Sequence, residues 1–215
     1  MATAKKLVYG DVDIDMVAGP SEILIIADDS ANPAYIAADM LSQAEHDEMA
    51  SAVLITTSER IIGETEREIE RQVAGLSRRA IIEKSLNRYG AAVWAESLEK
   101  AMEISNDIAP EHLEILTDNP MEKLPMVRNA GSVFLGGYTP EPLGDYMSGT
   151  NHVLPTGGAA RFSSPLGVYD FVKWSAYSYY PRAALAEYRD DVVLFAQKEG
   201  LTAHANSVQV RFGGS

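Results

Sequence analysis

The chain contains no cysteine among its 215 residues. That absence removes disulfides, thiolate zinc sites and a cysteine nucleophile together, so any transition metal must be held by nitrogen and oxygen ligands. Positive charge is scarce as well. Eighteen Lys plus Arg stand against 31 Asp plus Glu, a formal charge of -13, and the resulting field repels a phosphate backbone. No nucleic-acid partner is expected. No run is apolar enough for long enough to cross a bilayer, and the N-terminus lacks the basic, apolar and small-residue succession of a secretory signal. The expectation is a soluble, cytoplasmic protein with no membrane partner. Fingerprint motifs are also missing: no GxGxxG follows a predicted strand, and GxxxxGK[ST], HExxH and GxSxG do not occur. The chain therefore carries no nucleotide or hydrolase signature.

What is present looks globular. Hydrophobic residues make up 46% and charged residues 23% of 23.4 kDa, enough to bury a sizeable core. A short helical end, Ala4–Tyr9, leads to Val12–Met16, which alternates acidic and apolar residues, and Gly19-Pro20 breaks the chain. "EILIIAD", Glu22–Asp28, is a continuous branched apolar run and predicts a strand buried on both faces. Asn32-Pro33 opens a helix from Pro33 to about Gln43. Further along, the pattern predicts strand Ala52–Thr56, helices Glu59–Leu76 and Arg79–Asn87, and strand Ala91–Ala95. Helix Leu98–Ile108, strand Leu113–Leu116, helix Met121–Asn129 and strand Ser132–Leu135 complete the series. Strands separated by helices imply βαβ units around a parallel sheet, so the core is α/β. Residues 136–167 then hold seven of the 16 glycines and four of the ten prolines. They read as one long functional loop, with Tyr138, Tyr146 and Phe162 arguing against simple disorder. An aromatic stretch, Tyr169–Tyr180, precedes a helix Arg182–Lys198 that stops at Gly200 and a short tail, Leu201–Phe212.

Four histidines occur, so each neighbourhood can be weighed. In "MLSQAEHDEM", Gln43 and His46 lie three apart on a helix and share a face, the spacing at which two ligands converge on one ion; a solvated helix end is the plain alternative. Asp145, between Gly144 and Tyr146, could add an oxygen ligand or be an ordinary loop aspartate. In "PEHL", Glu111 and His112 follow Pro110 just before a strand, where an adjacent acid and imidazole can divide general acid–base work, or simply form a polar turn. Glu199 and His204 flank Gly200 as a second acid and imidazole pairing, with a solvated tail as the alternative. Gly157-Gly158 could cradle an anion or merely turn the chain.

Together, "GPSEILIIAD", "LSQAEHDE", "APEHLEI", "NAGSVFLG", "GDYMSGTNHVLPTGGAARFSSPLGVYDF" and "GLTAHANSV" closely resemble the C-terminal half of the histidinol dehydrogenase family, in the family's order, from about Thr3 to Phe212. The resemblance implies an incomplete Rossmann-like parallel sheet with flanking helices and a small C-terminal helical tail. Residues 1–19 would be the remnant of a preceding Rossmann-like domain, 20–165 the α/β domain with the metal and catalytic motifs, and 166–215 a tail exchanged between subunits of a homodimer. By match, Gln43, His46, Asp145 and His204 are ligands of a catalytic Zn2+, His204 coming from the partner subunit. His112 is the base that takes the alcohol proton as hydride leaves for NAD, and Glu111 activates water for the second step, from L-histidinal to L-histidine. Substrate contacts are implied for Ser21, Gln43, His46, His112, Asp145, Glu199 and His204, Glu199 also across the interface, with His152 nearby. The chain begins well inside the family pattern, so the residues that hold most of the NAD are not expected here and no cofactor-binding residue is assigned. Three other readings stand beside this one: a non-catalytic folded fragment, one piece of a split enzyme, and a dehydrogenase of sulfonated diols from the same superfamily. The last would call for an added basic group that this acidic sequence lacks.

Overall fold

The structure is a computed structural model and describes residues 2–213; Met1, Gly214 and Ser215, at the ends of the expected 1–19 and 166–215 segments, lie outside them. The chain divides into two compact units, one running to Val172 and the other beginning at Lys173.

The first unit starts with α1 (Ala2–Val8), held to the following segment by Lys5, which pairs with Asp15 and donates to the Met16 carbonyl at 3.2 Å. Then come β1 (Glu22–Ala27), α2 (Pro33–Ala44), β2 (Ser51–Thr56), α3 (Glu59–Val73), α4 (Arg79–Tyr89) and β3 (Gly90–Trp94). They are followed by α5 (Leu98–Ile108), β4 (His112–Leu116), a single-turn α6 (Pro120–Lys123), β5 (Ser132–Leu135) and α7 (Glu141–Tyr146). All strand pairings are parallel, in the order β3-β2-β1-β4-β5. That is the doubly wound α/β order, with its reversal of direction between β1 and β4.

The two-residue side-chain period of β1 builds both faces of the core. Ile23, Ile25 and Ala27 pack with Ile36 and Met40 of α2 and Ile61 of α3, whereas Leu24 and Ile26 pack with Ala101 and Met102 of α5 on the other side. The both-face burial expected for "EILIIAD" is met, because helices cover both sides. The outer strand β3 is different: Gly90, Ala91 and Ala92 are exposed and Trp94 is 54% exposed. An apolar groove lined by Met40, Leu54, Ile69, Leu86 and Ala92 runs beside it. No further strand pairs with this edge among the described residues.

Three expected elements are corrected. Helix 59–76 ends at Val73, where the chain turns through Gly75. Helix 121–129 is only α6 followed by a 3-10 turn, Leu124–Met126, and extended backbone from Val127. Pro125 lacks the N–H a helix needs, and Asn106 of α5 captures the backbone instead. Its Oδ1 accepts from the N–H groups of Arg128 (2.7 Å) and Asn129 (3.1 Å), and its Nδ2 donates to the Met126 carbonyl (2.9 Å). Asn106→Ala should therefore cost about 2 kcal/mol, read as a fall in Tm on the order of 4–8 °C for a chain of this size; an unchanged Tm would refute this role. The third correction concerns residues 136–167, which contain α7 and are not one loop.

The second unit pairs α8 (Arg182–Lys198) with α9 (Thr202–Gln209) through Gly200, whose φ of +74° suits glycine. The Phe212 ring takes the guanidinium groups of Arg182 and Arg189 on its face at 5.2 and 5.6 Å. No described helix is long and apolar enough to cross a membrane.

Candidate active site and metal-binding residues

Several of the predicted site residues of the first unit lie at the amino-terminal edge of the sheet. Ser21 precedes β1, and Glu111 and His112 sit at the start of β4, with His112 opposite Ile23 and Ser132. The crossover helix α2 runs back from β1 to β2, so its last turn, with Gln43, ends at the same edge. Doubly wound sheets usually bind ligands at the opposite, carboxyl-terminal ends of their strands, so this fold places its polar cluster away from the ordinary nucleotide crevice.

A single backbone residue holds the acid and imidazole pair. The Glu22 N–H donates to Oε2 of Glu111 (2.9 Å), and the Glu22 carbonyl accepts from Nδ1–H of His112 (2.9 Å). Both side chains are buried, with the ring's Nδ1 3.6 Å from Oε2 of Glu111. The chain enters this pair from Ala109, a non-glycine residue at φ +56° that ends α5 just before Pro110. Burial pushes the Glu111 carboxyl up to about 7, helped by the nearby Glu22 and Glu141 charges. Burial also holds the His112 imidazole below its ordinary value, against the Glu22 carbonyl and the Asp145 charge, while His46 reinforces the lowering. Neutral imidazole is thus the resting form, with its lone pair on Nε2.

Nε2 faces Glu141, whose Oε1 is 3.6 Å away. His112, Glu141 and Asp145 each bring a donor atom within 4.8 Å of the others. Phe134 of β5 sets this approach: its ring centroid lies 6.0 Å from that of His112, and a Cβ at Gly144 would lie 2.7 Å from the Phe134 ring. Only glycine lets α7 pack that closely. Glu141 is 2% exposed and pushed up to about 7, first by burial and then by the charges of Asp145 and Asp39. Among the described residues no salt bridge joins Glu111, Glu114 or Glu141 to a lysine or arginine, and the neighbouring carboxylates raise one another, so the cluster would welcome a cation. Gln43 supplies an independent observation. It is 1% exposed, and neither its Oε1 nor its Nε2 finds a partner among the described residues. A carboxamide is rarely buried without a partner, and a metal bound through Oε1 would satisfy its oxygen.

The family model for histidinol dehydrogenase matches residues 1–212. The chain belongs to the histidinol dehydrogenase family. Curated histidinol dehydrogenases from Lactococcus lactis subsp. lactis and Clostridium acetobutylicum are 60% and 61% identical to it over 212 residues, each match covering 99% of this chain and 49% of the relative. The crystal structure of histidinol dehydrogenase from Elizabethkingia anophelis superposes with a TM-score of 0.91 at 39% identity, covering 98% of this chain and 49% of that one. The chain spans about half the length of the curated relatives it matches.

Among residues expected from the histidinol dehydrogenase pattern, Ser21, Glu111, His112 and Asp145 therefore share one edge. His46 is exposed and outside the compact His112, Glu141 and Asp145 group, although its charge reaches His112. His152 is exposed. Glu199, at the end of α8, and His204, in α9, are exposed in the second unit. Gly157 donates its N–H to Oε1 of Glu22 at 2.7 Å, so that turn already holds a carboxylate of this chain. The pattern missed Glu141. Its signal was there: Pro140 and Pro142 mark a helix start, which puts Glu141 and Asp145 four apart on one face. Glu114 was missed too, although a lone acid inside the apolar "HLEIL" strand is conspicuous.

Proposed function

We propose that this chain is the substrate- and metal-binding portion of a histidinol dehydrogenase, which oxidises L-histidinol to L-histidinal and then to L-histidine while reducing two NAD. The observation that carries the reading is the buried Glu111 and His112 pair, pinned by one backbone residue beside an acidic, cation-seeking cluster. The unpartnered Gln43 carboxamide and the all-nitrogen and oxygen donor set fit zinc. Gln43, His46 and Asp145 would hold it, with His204 reaching in from a second copy in a homodimer. Bound there, zinc supplies a template and Lewis acid for the amino alcohol.

The chain's own groups perform the proton work. The Glu22 carbonyl fixes the tautomer of His112, so Nε2 takes the hydroxyl proton of histidinol as the carbinol hydride passes to the nicotinamide. Water then adds to the aldehyde, Glu111 accepting its proton, and the resulting hydrate gives up the second hydride to a second NAD. Glu111 and His112 share a site but differ in tuning, one carboxyl pushed up and one imidazole pushed down. Ser21, just before β1, and Glu199 of the partner copy are assigned to the substrate. The NAD contacts belong to the half of the relatives that this chain does not span. The acidic cluster disfavours a sulfonated diol, whose anion it would repel, and suits the ammonium and imidazole of histidinol.

The test is to fuse the N-terminal half of the Lactococcus lactis relative to this chain and follow NADH with L-histidinol. Two NADH per histidinol are expected, with aldehyde oxidation rising as pH passes through about 7, because Glu111 acts as a base only when ionised. A folded, zinc-loaded fusion that forms no NADH would identify the chain as a non-catalytic module.

A further inference from the structure

Residues 154–158 have no part in the chemistry above, yet they meet the amino-terminal edge of the sheet where the site is built. Leu154, Pro155 and Thr156 are buried although no strand or helix includes them. Two consecutive residues of this stretch hold the entrance to β1. Oγ1 of Thr156 accepts from the N–H of Gly19 at 2.5 Å, and the N–H of Gly157 donates to Oε1 of Glu22 at 2.7 Å. Gly157 and Gly158 both have positive φ, +62° and +76°, so the chain turns at once and presents that N–H. Between the two anchored residues stand only Pro20, whose ring fixes its φ, and Ser21. Ser21 is thus framed on both sides, and its carbonyl accepts from the N–H of Ser51 at 3.0 Å. Pro155 reaches the other part of the site. A Cβ at Gly131 would lie 2.6 Å from the Glu111 carbonyl oxygen and 3.2 Å from Cδ of Pro155, so Gly131 is pressed between the two. Arg161 fastens the far end, donating to the carbonyls of Gly158, at 3.0 Å, and of Asp107 in α5.

We propose that residues 154–158 clamp the entrance of β1, and that Thr156 and the Glu22 carboxylate are positioning residues for the site. The Glu22 main chain carries both members of the acid and imidazole pair, its N–H on Glu111 and its carbonyl on His112. Whatever fixes that one residue sets where both groups point. Strand pairing alone leaves it at an end. Glu22 is the first residue of β1; it pairs with Ser51 of β2, but the pairing with β4 begins only at Ile23. Strand ends fray, and the bond from the Glu22 side chain to Gly157 closes this one. Through Glu22 the clamp holds Glu111 and His112, and through the Gly19 to Glu22 segment it holds Ser21. The clamp itself follows from these contacts; only its consequence for turnover rests on the function proposed above.

Thr156→Val keeps the shape of the side chain and removes the acceptor, whereas Thr156→Ser keeps the oxygen. Amide hydrogen exchange of the purified chain reads the result residue by residue. In Thr156→Val, the amides of Glu22 and Gly157 should exchange about fivefold or more faster, although neither is bonded to Thr156, while those of Leu24 and Ile26 hold. Thr156→Ser should stay within about twofold of the parent. Glu22→Ala cuts the clamp from its other side and serves where the valine variant does not fold: the Gly19 amide, whose own acceptor is untouched, should then accelerate by a similar factor. Acceleration of Gly19 alone in Thr156→Val, or an equal rise through all of β1, overturns the clamp. Turnover is the second readout, in the fusion with the N-terminal half of the Lactococcus lactis relative. Thr156→Val should lower kcat for L-histidinol about tenfold or more with zinc content unchanged, and Thr156→Ser should recover it. Turnover at the parent rate in Thr156→Val would remove Thr156 from the positioning role. A parent fusion that forms no NADH defeats the proposed function, and the exchange pattern then decides the clamp by itself.

Discussion

His112→Ala, made in the fusion with the N-terminal half of the Lactococcus lactis relative, should slow alcohol oxidation by about 10²- to 10⁴-fold, the usual contribution of a positioned general base. Zinc content should not change, because His112 is assigned to the proton and not to the metal. The size of the effect follows from how completely the ring is prepared. Its Nδ1–H is committed to the Glu22 carbonyl at 2.9 Å, it is 5% exposed, and burial keeps it neutral, so the lone pair on Nε2 is ready to take a proton. Glu141, 3.6 Å from Nε2, is pushed up to about 7 and is the one group that could partly replace it. Residual activity in His112→Ala should therefore rise with pH through that value. Glu111→Gln makes the complementary case: the first oxidation persists, the second fails, and histidinal accumulates with one NADH formed per histidinol. If His112→Ala turned histidinol over at the parent rate, the base would lie elsewhere. If Glu111→Gln still gave two NADH, a different group would activate the water.

Much of this architecture could be read from residue pattern, and the failures have physical causes. The strands were legible because "EILIIAD" and "SAVLIT" are buried between helices and carry no internal competition between faces. Glu111 and His112 stood out because an acid and an imidazole before an apolar strand have few structural uses. The helix expected at 121–129 failed because the apolar spacing said nothing of Asn106, fifteen or more residues earlier, whose side chain takes the backbone bonds a helix would have made. Glu141 stayed hidden for a related reason. Glycine and proline are turn formers in composition, but Pro140 and Pro142 start a helix here, and Gly144 exists so that the helix can lie against Phe134. Glu22 and Gly157 are 135 residues apart in sequence, and only the fold of the chain brings them together. Long-range polar pairs of this kind leave no periodic trace.

Gln43→Leu should lower zinc affinity by at least about a hundredfold and, in the metal-free chain, raise stability. The two effects have opposite signs for one reason. A buried carboxamide whose oxygen and nitrogen both lack partners costs about 1–3 kcal/mol for the unmet groups, and no described residue offsets that cost. Leucine fills nearly the same volume with nothing left unsatisfied, so the metal-free variant should melt on the order of 2–10 °C higher. Zinc reverses the order: the parent gains stability by binding, in proportion to the logarithm of free metal over Kd, while the leucine variant gains little. His46→Ala separates the two effects. Its side chain is exposed, so its removal should abolish zinc retention with almost no change in metal-free stability. A lower metal-free Tm for Gln43→Leu would mean that the carboxamide has a partner within the chain and is not held in reserve for a metal. Unchanged zinc content in either variant would remove that residue from the ligand set and leave the His112, Glu141 and Asp145 group as the cation's binding place.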